Sequence, residues 1–529
     1  MKTSNSNKQR YRSKAWEQYE AGKAYKRKIG LYSTVRENER FYRGDQWYAS
    51  SAEDLPKPVF NIIRRIADYL ICSVASSDIS IHYTAENLPF FEKRADAENL
   101  RLYLDGINKN AAYRWEKNSM KRKIYDALSD AAISGDGIFF CYWDPDASGA
   151  QEFKGDIATE VIDNVNLFVA DVNSSDIQSQ EYVILAGRKS VSALKNEARK
   201  HGVSEDEVKK IIPDGTDGSQ SGSLSEYELE GEGSEKATYI IKFWKEDGKV
   251  VFEKSTRDCV IYRAATECKL YPIAYFSWYS TKNSFHGTSP ITSLVPNQKY
   301  INRAYSLAMK HMTDCAFSKI IYDKSRIPEW SNEVGEAIAA NGGGSIADSV
   351  SVVGVGKMQD KYLELITNTV NTTKDLMGAT ESALGDEQAK NTSAILALQE
   401  TSRIPLKQTR SAFHKCIEDL ANVWADMMCA YYPSERLLIS AHNGEMRTHS
   451  VDFSALRAAA LCARVDIVEV SPYSAASAQS MLDNLLSGGY ITPAEYLRRI
   501  PSGLVYEREG LIEELEKRNE SKGDESYDE

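Results

Sequence analysis

The side chains that most often carry catalysis occur in this sequence, but none of them forms a recognised catalytic pattern. The seven histidines include no H-E-x-x-H pair and no His/Cys spacing typical of zinc sites, and no G-x-S-x-G nucleophile elbow occurs. Carboxylate pairs such as Asp144 with Asp146 fall in polar segments that we predict to be solvated. We therefore predict no catalytic residue, no metal site and no cofactor. A lone histidine such as His414 is predicted to be structural.

Two glycine-containing segments were considered as phosphate-binding motifs. Gly354-Val355-Gly356-Lys357 resembles the end of a P-loop, but Ser351 stands at the first glycine position and Met358 stands where Ser or Thr would bind Mg²⁺. Gly135-Asp136-Gly137 lacks the third glycine of a dinucleotide fingerprint. We predict that neither segment binds a nucleotide.

Composition and charge favour a large mixed protein without a basic face. The formal net charge is −11 over 529 residues, which argues against a broad nucleic-acid-binding surface. Eight cysteines without a C-x-x-C pair predict reduced thiols, and the N-terminus lacks the apolar segment of a signal peptide. No apolar stretch is long enough to span a membrane. The basic residues 1–30 predict either a solvated, partly helical arm or a contact with nucleic acid or an acidic partner.

The elements around residues 289–432 form an order that is unusual for an enzyme. Ser289-Pro290 predicts a helix start, because serine caps helices and proline suits their first position. A glycine-rich segment with flanking strands follows, then a second helix, a polar loop and a long third helix. Pro405 is predicted to lie inside the third helix and to kink it.

The remaining elements indicate an α+β fold. Residues 155–280 alternate in short strands that predict a mainly antiparallel sheet. Asn61 is predicted to cap a helix, and Gly135 to end one that leads into an apolar strand. Asn443-Gly444 predicts a hairpin turn.

Taken in order, several segments resemble the portal (head-to-tail connector) proteins of tailed bacteriophages. The N-terminal landmarks are Phe41 to Trp47, Pro58-Val59-Phe60-Asn61, and Asp130 to Gly137 before an apolar strand. The central landmarks are Ser289-Pro290, Pro296-Asn297-Gln298, Ile301-Asn302, Gly378-Ala379-Thr380-Glu381 through Leu384-Gly385-Asp386, and Thr392-Ser393-Ala394. Each landmark alone is weak, but their order and spacing together are specific.

The resemblance implies a portal-protein fold with a wing, a helical stem, a small α/β clip, a long kinked helix and a helical crown, assembled as a ring. The implied boundaries are a basic arm at 1–30, wing at 31–288, stem helices at 289–318 and 360–384 around a clip at 319–359, tunnel loop at 385–392, long kinked helix at 393–434, C-terminal wing strands at 435–470, crown at 471–515 and acidic tail at 516–529.

For function, the resemblance implies a ring, dodecameric in the assembled virion, that passes double-stranded DNA at one capsid vertex during packaging and ejection. Its implied partners are the terminase large subunit, the head-completion or tail adaptor protein, and the major capsid and scaffold proteins. No membrane contact is implied. The implied location is the virion, after assembly in the host cytoplasm.

The resemblance also places candidate site residues. The DNA-facing tunnel loop would contain Asp386, Glu387, Gln388, Lys390 and Asn391, although a plain solvated loop is the alternative. In the clip, Ile327, Pro328 and Trp330 would form either a docking surface or a contact buried between neighbouring clips. Two other functions were weighed: another viral structural ring or capsid component, and a nucleic-acid-processing enzyme.

Overall fold

The computed structural model describes most of the chain, and the fold is built from antiparallel sheets packed against helices. The described residues are 14–48, 54–75, 78–85, 94–147, 155–214, 235–316, 319–353 except 332, 334 and 336, 360–380, 402, 404–433, 435–442, 445–458, 461–468, 472–500, 508, 510–512, 514 and 515.

The helices alternate with strands along the chain, as the sequence predicted. The helices are α1 Lys14–Lys28, α2 Leu31–Arg43, α3 Ile62–Ala75, α4 Arg94–Lys117, α5 Met120–Ser134, α6 Val191–Lys200, α7 Glu205–Val208, α8 Pro290–Cys315, α9 Asp360–Leu376, α10 Lys407–Tyr431, α11 Phe453–Ala458, α12 Pro472–Ser487 and α13 Pro493–Arg499. The strands are β1 Asp78–Ala85, β2 Asp136–Asp144, β3 Asp156–Val161, β4 Leu167–Val169, β5 Tyr182–Ser190, β6 Lys236–Glu246, β7 Lys249–Ser255, β8 Val260–Ala265, β9 Ile273–Ser277, β10 Lys319–Tyr322, β11 Val350–Val353, β12 Glu435–His442, β13 Glu445–Asp452 and β14 Leu461–Val468.

The strands between residues 136 and 277 form two antiparallel sheets. The larger has the order β4-β5-β6-β7-β8 and the smaller the order β3-β2-β9. Helix α10 packs against β9 and buries Phe413, Ile417 and Trp424. The mixed α+β class and the mainly antiparallel pairing predicted from the sequence are confirmed.

The structure confirms two helix caps and a hairpin that were predicted from the sequence. The Asn61 side chain accepts a hydrogen bond from the Arg64 backbone N–H at 3.1 Å, as expected of an N-cap. Gly135 ends α5 in the left-handed region at φ 101°. Strands β12 and β13 pair with His442 opposite Glu445, so the hairpin prediction is confirmed, while Asn443-Gly444 itself lies outside the described residues.

Two expectations about basic and proline-containing segments can be compared with the structure. Pro405 lies in the 3-10 turn Ile404–Leu406, directly before α10 begins at Lys407. Its missing N–H and fixed φ suit a first turn better than a helix interior. Residues 393–401, where the long helix was predicted to begin, lie outside the described residues, so a kinked helix over 393–434 stays a prediction. The basic residues of the N-terminal arm are not all solvated: Lys23 and Lys26 are buried in α1.

Candidate functional site

Helices α8 and α9 form an antiparallel pair around a small strand-bearing insertion. Near one end, the Asn297 amide donates to the Thr373 hydroxyl at 3.3 Å. Farther along, the Tyr362 hydroxyl donates to the Ala304 carbonyl at 3.2 Å. Helix α8 begins as predicted, since the Ser289 hydroxyl accepts from the Ile291 backbone N–H at 3.0 Å. The insertion thus leaves and re-enters the body through two helices that contact each other.

Beside the contact between them, both helices expose apolar side chains. On α8, Tyr300 and Leu307 are 50% and 45% exposed and Arg303 lies between them. On α9, Leu363 and Leu365 are 48% and 49% exposed. Tyr300 and Leu307 are seven residues apart and share one side of α8, whereas Leu363 and Leu365 lie on different sides of α9. Large exposed apolar side chains of this kind suit contacts with another protein. Helix α9 also exposes uncharged polar side chains, namely Thr367, Asn368 and Thr372.

A buried amide network holds the N-terminal part of α8 against the N-terminal region of the chain. Gln298 lies on α8, is 1% exposed, and accepts from the Ile62 backbone N–H at 3.1 Å. Its amide donates to the Phe60 carbonyl and to Asn302 Oδ1. Asn302 in turn donates to Gln46 Oε1 at 2.7 Å. Residue 46, residues 60–62 and residues 298–302, which are separate in the sequence, therefore meet at one buried site.

Asp136, at the start of β2, forms a second buried hydrogen-bond network. Its carboxylate accepts four hydrogen bonds, from the Tyr275 hydroxyl and Gly287 N–H at 2.8 Å, Asn164 Nδ2 at 3.0 Å and His286 Nδ1 at 2.7 Å. Burial and the adjacent Asp136 carboxylate raise the pKa of Tyr275 well above its usual value. These bonds hold the loop that leads into α8 against the start of β2, so the junction positions the start of α8.

The insertion carries the predicted clip residues, and the structure places them in different environments. Strands β10 and β11 pair antiparallel, with Ile320 opposite Val352. Ile327 is buried within this chain at 3% exposure, Pro328 is exposed, and Trp330 is partly buried with its ring stacked on Tyr322 at a centroid distance of 5.2 Å. The choice between a docking surface and a contact between clips remains a prediction.

The predicted tunnel-loop residues Asp386, Glu387, Gln388, Lys390 and Asn391 lie outside the described residues, as does the P-loop-like segment 354–357. The chain on the two sides of this region is nevertheless in contact. Gly378 has φ 71°, and a Cβ at this position would lie 2.8 Å from the Ser402 carbonyl oxygen. The Tyr69 hydroxyl is 3.1 Å from the Ser402 hydroxyl.

Sequence reasoning missed the roles of Gln298, Asn302 and Asp136. A signal existed for the first two, since they are amides four residues apart beside an apolar helical face. For Asp136 the only signal was a carboxylate between two glycines at a helix–strand junction. Within the described part of the chain, no group of three or more His, Cys, Asp or Glu side chains could hold a metal ion. Nor does any helix in those ranges have the length and apolar character needed to cross a bilayer.

Two contacting helices thus carry an insertion between them and expose several large apolar side chains, a feature common in proteins that assemble with others. The family model for phage P22-like portal proteins matches residues 202–439. This range is a little under half of the chain and includes α8, the insertion, α9 and α10. The match confirms the resemblance to portal proteins that the sequence predicted.

The other comparisons add less. No curated protein sequence matches the chain. Among solved structures, a chain from the virion of a native gene transfer agent particle is similar at 10% identity, with 86% of this chain and 97% of that chain covered and a TM-score of 0.36. A TM-score of this size does not establish a shared fold, so no conclusion rests on it.

Proposed function

We propose that this chain is the subunit of a phage portal, a ring that forms a channel for double-stranded DNA at one vertex of the capsid. The observation that carries the proposal is the family match over the same residues that contain the helix–insertion–helix unit. In this proposal the ring, a dodecamer in the virion, assembles in the host cytoplasm with the major capsid and scaffold proteins. It serves packaging, tail attachment and genome ejection, and it is not an enzyme.

The surface chemistry of the stem pair supports a ring. A subunit in a cyclic ring needs two different faces that contact its neighbours and a third that faces the channel. The exposed apolar side chains Tyr300, Leu307, Leu363 and Leu365 suit neighbour contacts. The exposed Thr367, Asn368 and Thr372 suit a channel wall, because uncharged polar groups do not gain from counterion release on contact with phosphates. A net charge of −11 is also compatible with DNA that must slide.

The remaining assignments extend the same proposal. Residues 385–392 would be the tunnel loop, in which Gln388, Lys390 and Asn391 touch DNA while Asp386 and Glu387 keep that contact weak. The clip, residues 319–359, would dock the terminase large subunit and later the adaptor protein. Its exposed Pro328 is the best placed of the three predicted docking residues, because Ile327 is already buried in its own subunit.

The architecture is tested by native mass spectrometry of the purified full-length protein together with negative-stain imaging. We expect a closed ring of about twelve copies with a central hole. A discrete dimer without a hole, at concentrations where portal subunits would associate, would contradict the proposal.

The tunnel-loop assignment is tested by deletion of residues 386–391. We expect the ring to form normally and DNA packaging to be impaired, since the loop contacts DNA and not the neighbouring subunit. Loss of the ring would show that these residues serve assembly instead. Packaging equal to wild type by an intact ring would show that they do not act on DNA.

A further inference from the structure

The N-terminal helix α1 lies on the larger sheet although its sequence is strongly polar. Its buried side chains share one helical face: Ala15, Trp16, Tyr19, Lys23 and Lys26. The aromatic end packs against apolar side chains of the sheet, namely Phe168, Ile184 and Ile240. At Gly22 a Cβ would lie 2.7 Å from the Phe168 ring, so the helix backbone rests directly on this residue.

The other end of α1 is held by a buried ammonium group. Lys26 Nζ donates to the carbonyl oxygens of Asn164 at 2.5 Å, Val165 at 3.1 Å and Leu167 at 2.6 Å. An ammonium has three N–H donors, and here each finds an acceptor. The same nitrogen lies 4.0 Å from the centroid of the Phe168 ring. The anchor is specific, because an uncharged side chain would leave three carbonyl groups without this partner.

Opposing effects act on the charge of the Lys26 ammonium. Burial lowers the pKa of Lys26 to about 7, and the carboxylates of Asp136 and Asp163 offset only part of this effect. Removing an ammonium from water is costly unless its hydrogen bonds are replaced. The contacts of α1 with the sheet thus include two buried aromatic side chains at one end and the Lys26 ammonium at the other.

The turn that receives Lys26 is connected to the start of the first stem helix. Asn164, one of the three acceptors, donates through its amide to Asp136 Oδ2 at 3.0 Å and to the Ser134 carbonyl. Asp136 also accepts from His286 and from the Gly287 N–H. Two residues later, Ser289 caps α8. A series of hydrogen bonds therefore joins α1 to the loop that leads directly into α8.

We propose that α1 is a releasable strap, locked by Lys26, and that its docking stiffens the loop at the start of the first stem helix. Release of the strap would uncover the apolar surface around Phe168 and would loosen residues 286–291. The N-terminal segment would in this way influence the stem without touching it. This inference concerns contacts within one chain and does not depend on the portal assignment.

Hydrogen–deuterium exchange of the full-length Lys26→Met variant tests the proposal. We expect exchange to become roughly tenfold faster or more in α1, in residues 164–169 and in residues 286–291, because local opening exposes these amides. Lys23→Met is the matched control: Lys23 is also buried on α1, but its ammonium hydrogen-bonds Glu20 on the same helix. The control is expected to leave residues 164–169 and 286–291 at the wild-type rate.

Each other outcome overturns a stated part of the proposal. Unchanged exchange in α1 would show that Lys26 does not lock the strap. Faster exchange in α1 with unchanged residues 286–291 would show that the strap is not coupled to the stem. Equal acceleration across all peptides would show global destabilisation. If Lys26→Met does not fold, Lys26→Gln, which keeps two N–H donors, is measured instead, and the same pattern at smaller size is expected.

Discussion

At the scale of single residues, Asp156 shows how buried charge is stabilised in this protein. Its carboxylate accepts from the Tyr432 hydroxyl and from Lys117 Nζ, each at 2.6 Å. Burial would raise the pKa of this carboxyl group, but the nearby Arg114 guanidinium and the two hydrogen bonds outweigh burial and lower the pKa to about 2. The ionised form therefore stabilises the folded state.

This pKa predicts how the Asp156→Asn variant behaves as pH changes. The folded-state pKa is depressed, so the ionised group's contribution is present above the ordinary carboxyl pKa and is lost as pH falls through about 2. At pH 7 we expect the variant to lose about 2 kcal/mol of stability. In urea unfolding, the difference from wild type should shrink below pH 4.

The control for Asp156 is Asp206→Asn, because Asp206 pairs with Lys209 on an exposed surface, where an ion pair contributes little. Its unfolding midpoint should follow wild type at every pH. A difference between Asp156→Asn and wild type that stays constant from pH 7 to pH 2 would show that the pKa is not depressed.

Residue roles were predictable from the sequence only where the partner is near in the chain. The caps at Ser289 and Asn61 bond to groups two and three residues away, so their residue types and the following apolar pattern sufficed. Gln298 and Asp136 could not be assigned, because their partners are 236 and 150 residues away. A polar residue on a buried face shows that a partner exists, but not which segment supplies it.

At the scale of elements, the sequence indicates which segments form strands but not which strands pair with each other. Strands were predicted within residues 435–470, and β14 lies there. In the chain β14 follows the β12–β13 hairpin, but it pairs with β1, which lies at residues 78–85. A two-residue period indicates which side chains face the core. It does not identify the neighbouring strand, which depends on long-range packing.

The contact between the end of α9 and the segment before α10 gives a prediction for Gly378. A Cβ here would lie 2.8 Å from the Ser402 carbonyl oxygen, and φ is 71°. Gly378→Ala should therefore incur both backbone strain and a clash, for a loss of about 2–3 kcal/mol. Thermal unfolding measures this as a lower midpoint.

Gly489→Ala is the matched control for Gly378→Ala. Gly489 has nearly the same φ, 72°, with nothing within 4 Å of an added Cβ. It should show the backbone strain alone, about 1 kcal/mol. Equal losses for the two variants would mean that the approach of Gly378 to Ser402 is not tight.

At the scale of the whole molecule, the exposed apolar face of α8 is best explained by assembly. The buried face of this helix packs on α2, α3, α5 and α9 and carries the Gln298 network, while Tyr300 and Leu307 remain about half exposed. These two side chains are therefore expected to contribute little to the stability of the isolated subunit. Large exposed apolar side chains on one helical face are costly in water and are usual at subunit interfaces. Folding and assembly should therefore be separable at this surface.

Leu307→Asp tests that separation. We expect the subunit to keep its thermal midpoint within a few degrees, because surface substitutions usually change stability by about 0.5 kcal/mol or less. We expect native mass spectrometry to show subunits in place of rings, because an unpaired carboxylate would be buried at each contact. Ile212→Asp is the control: Ile212 is 61% exposed and follows α7, which packs on α6, and rings should persist. Intact rings in Leu307→Asp would place the subunit interface elsewhere, and an unfolded subunit would show that Leu307 belongs to the core.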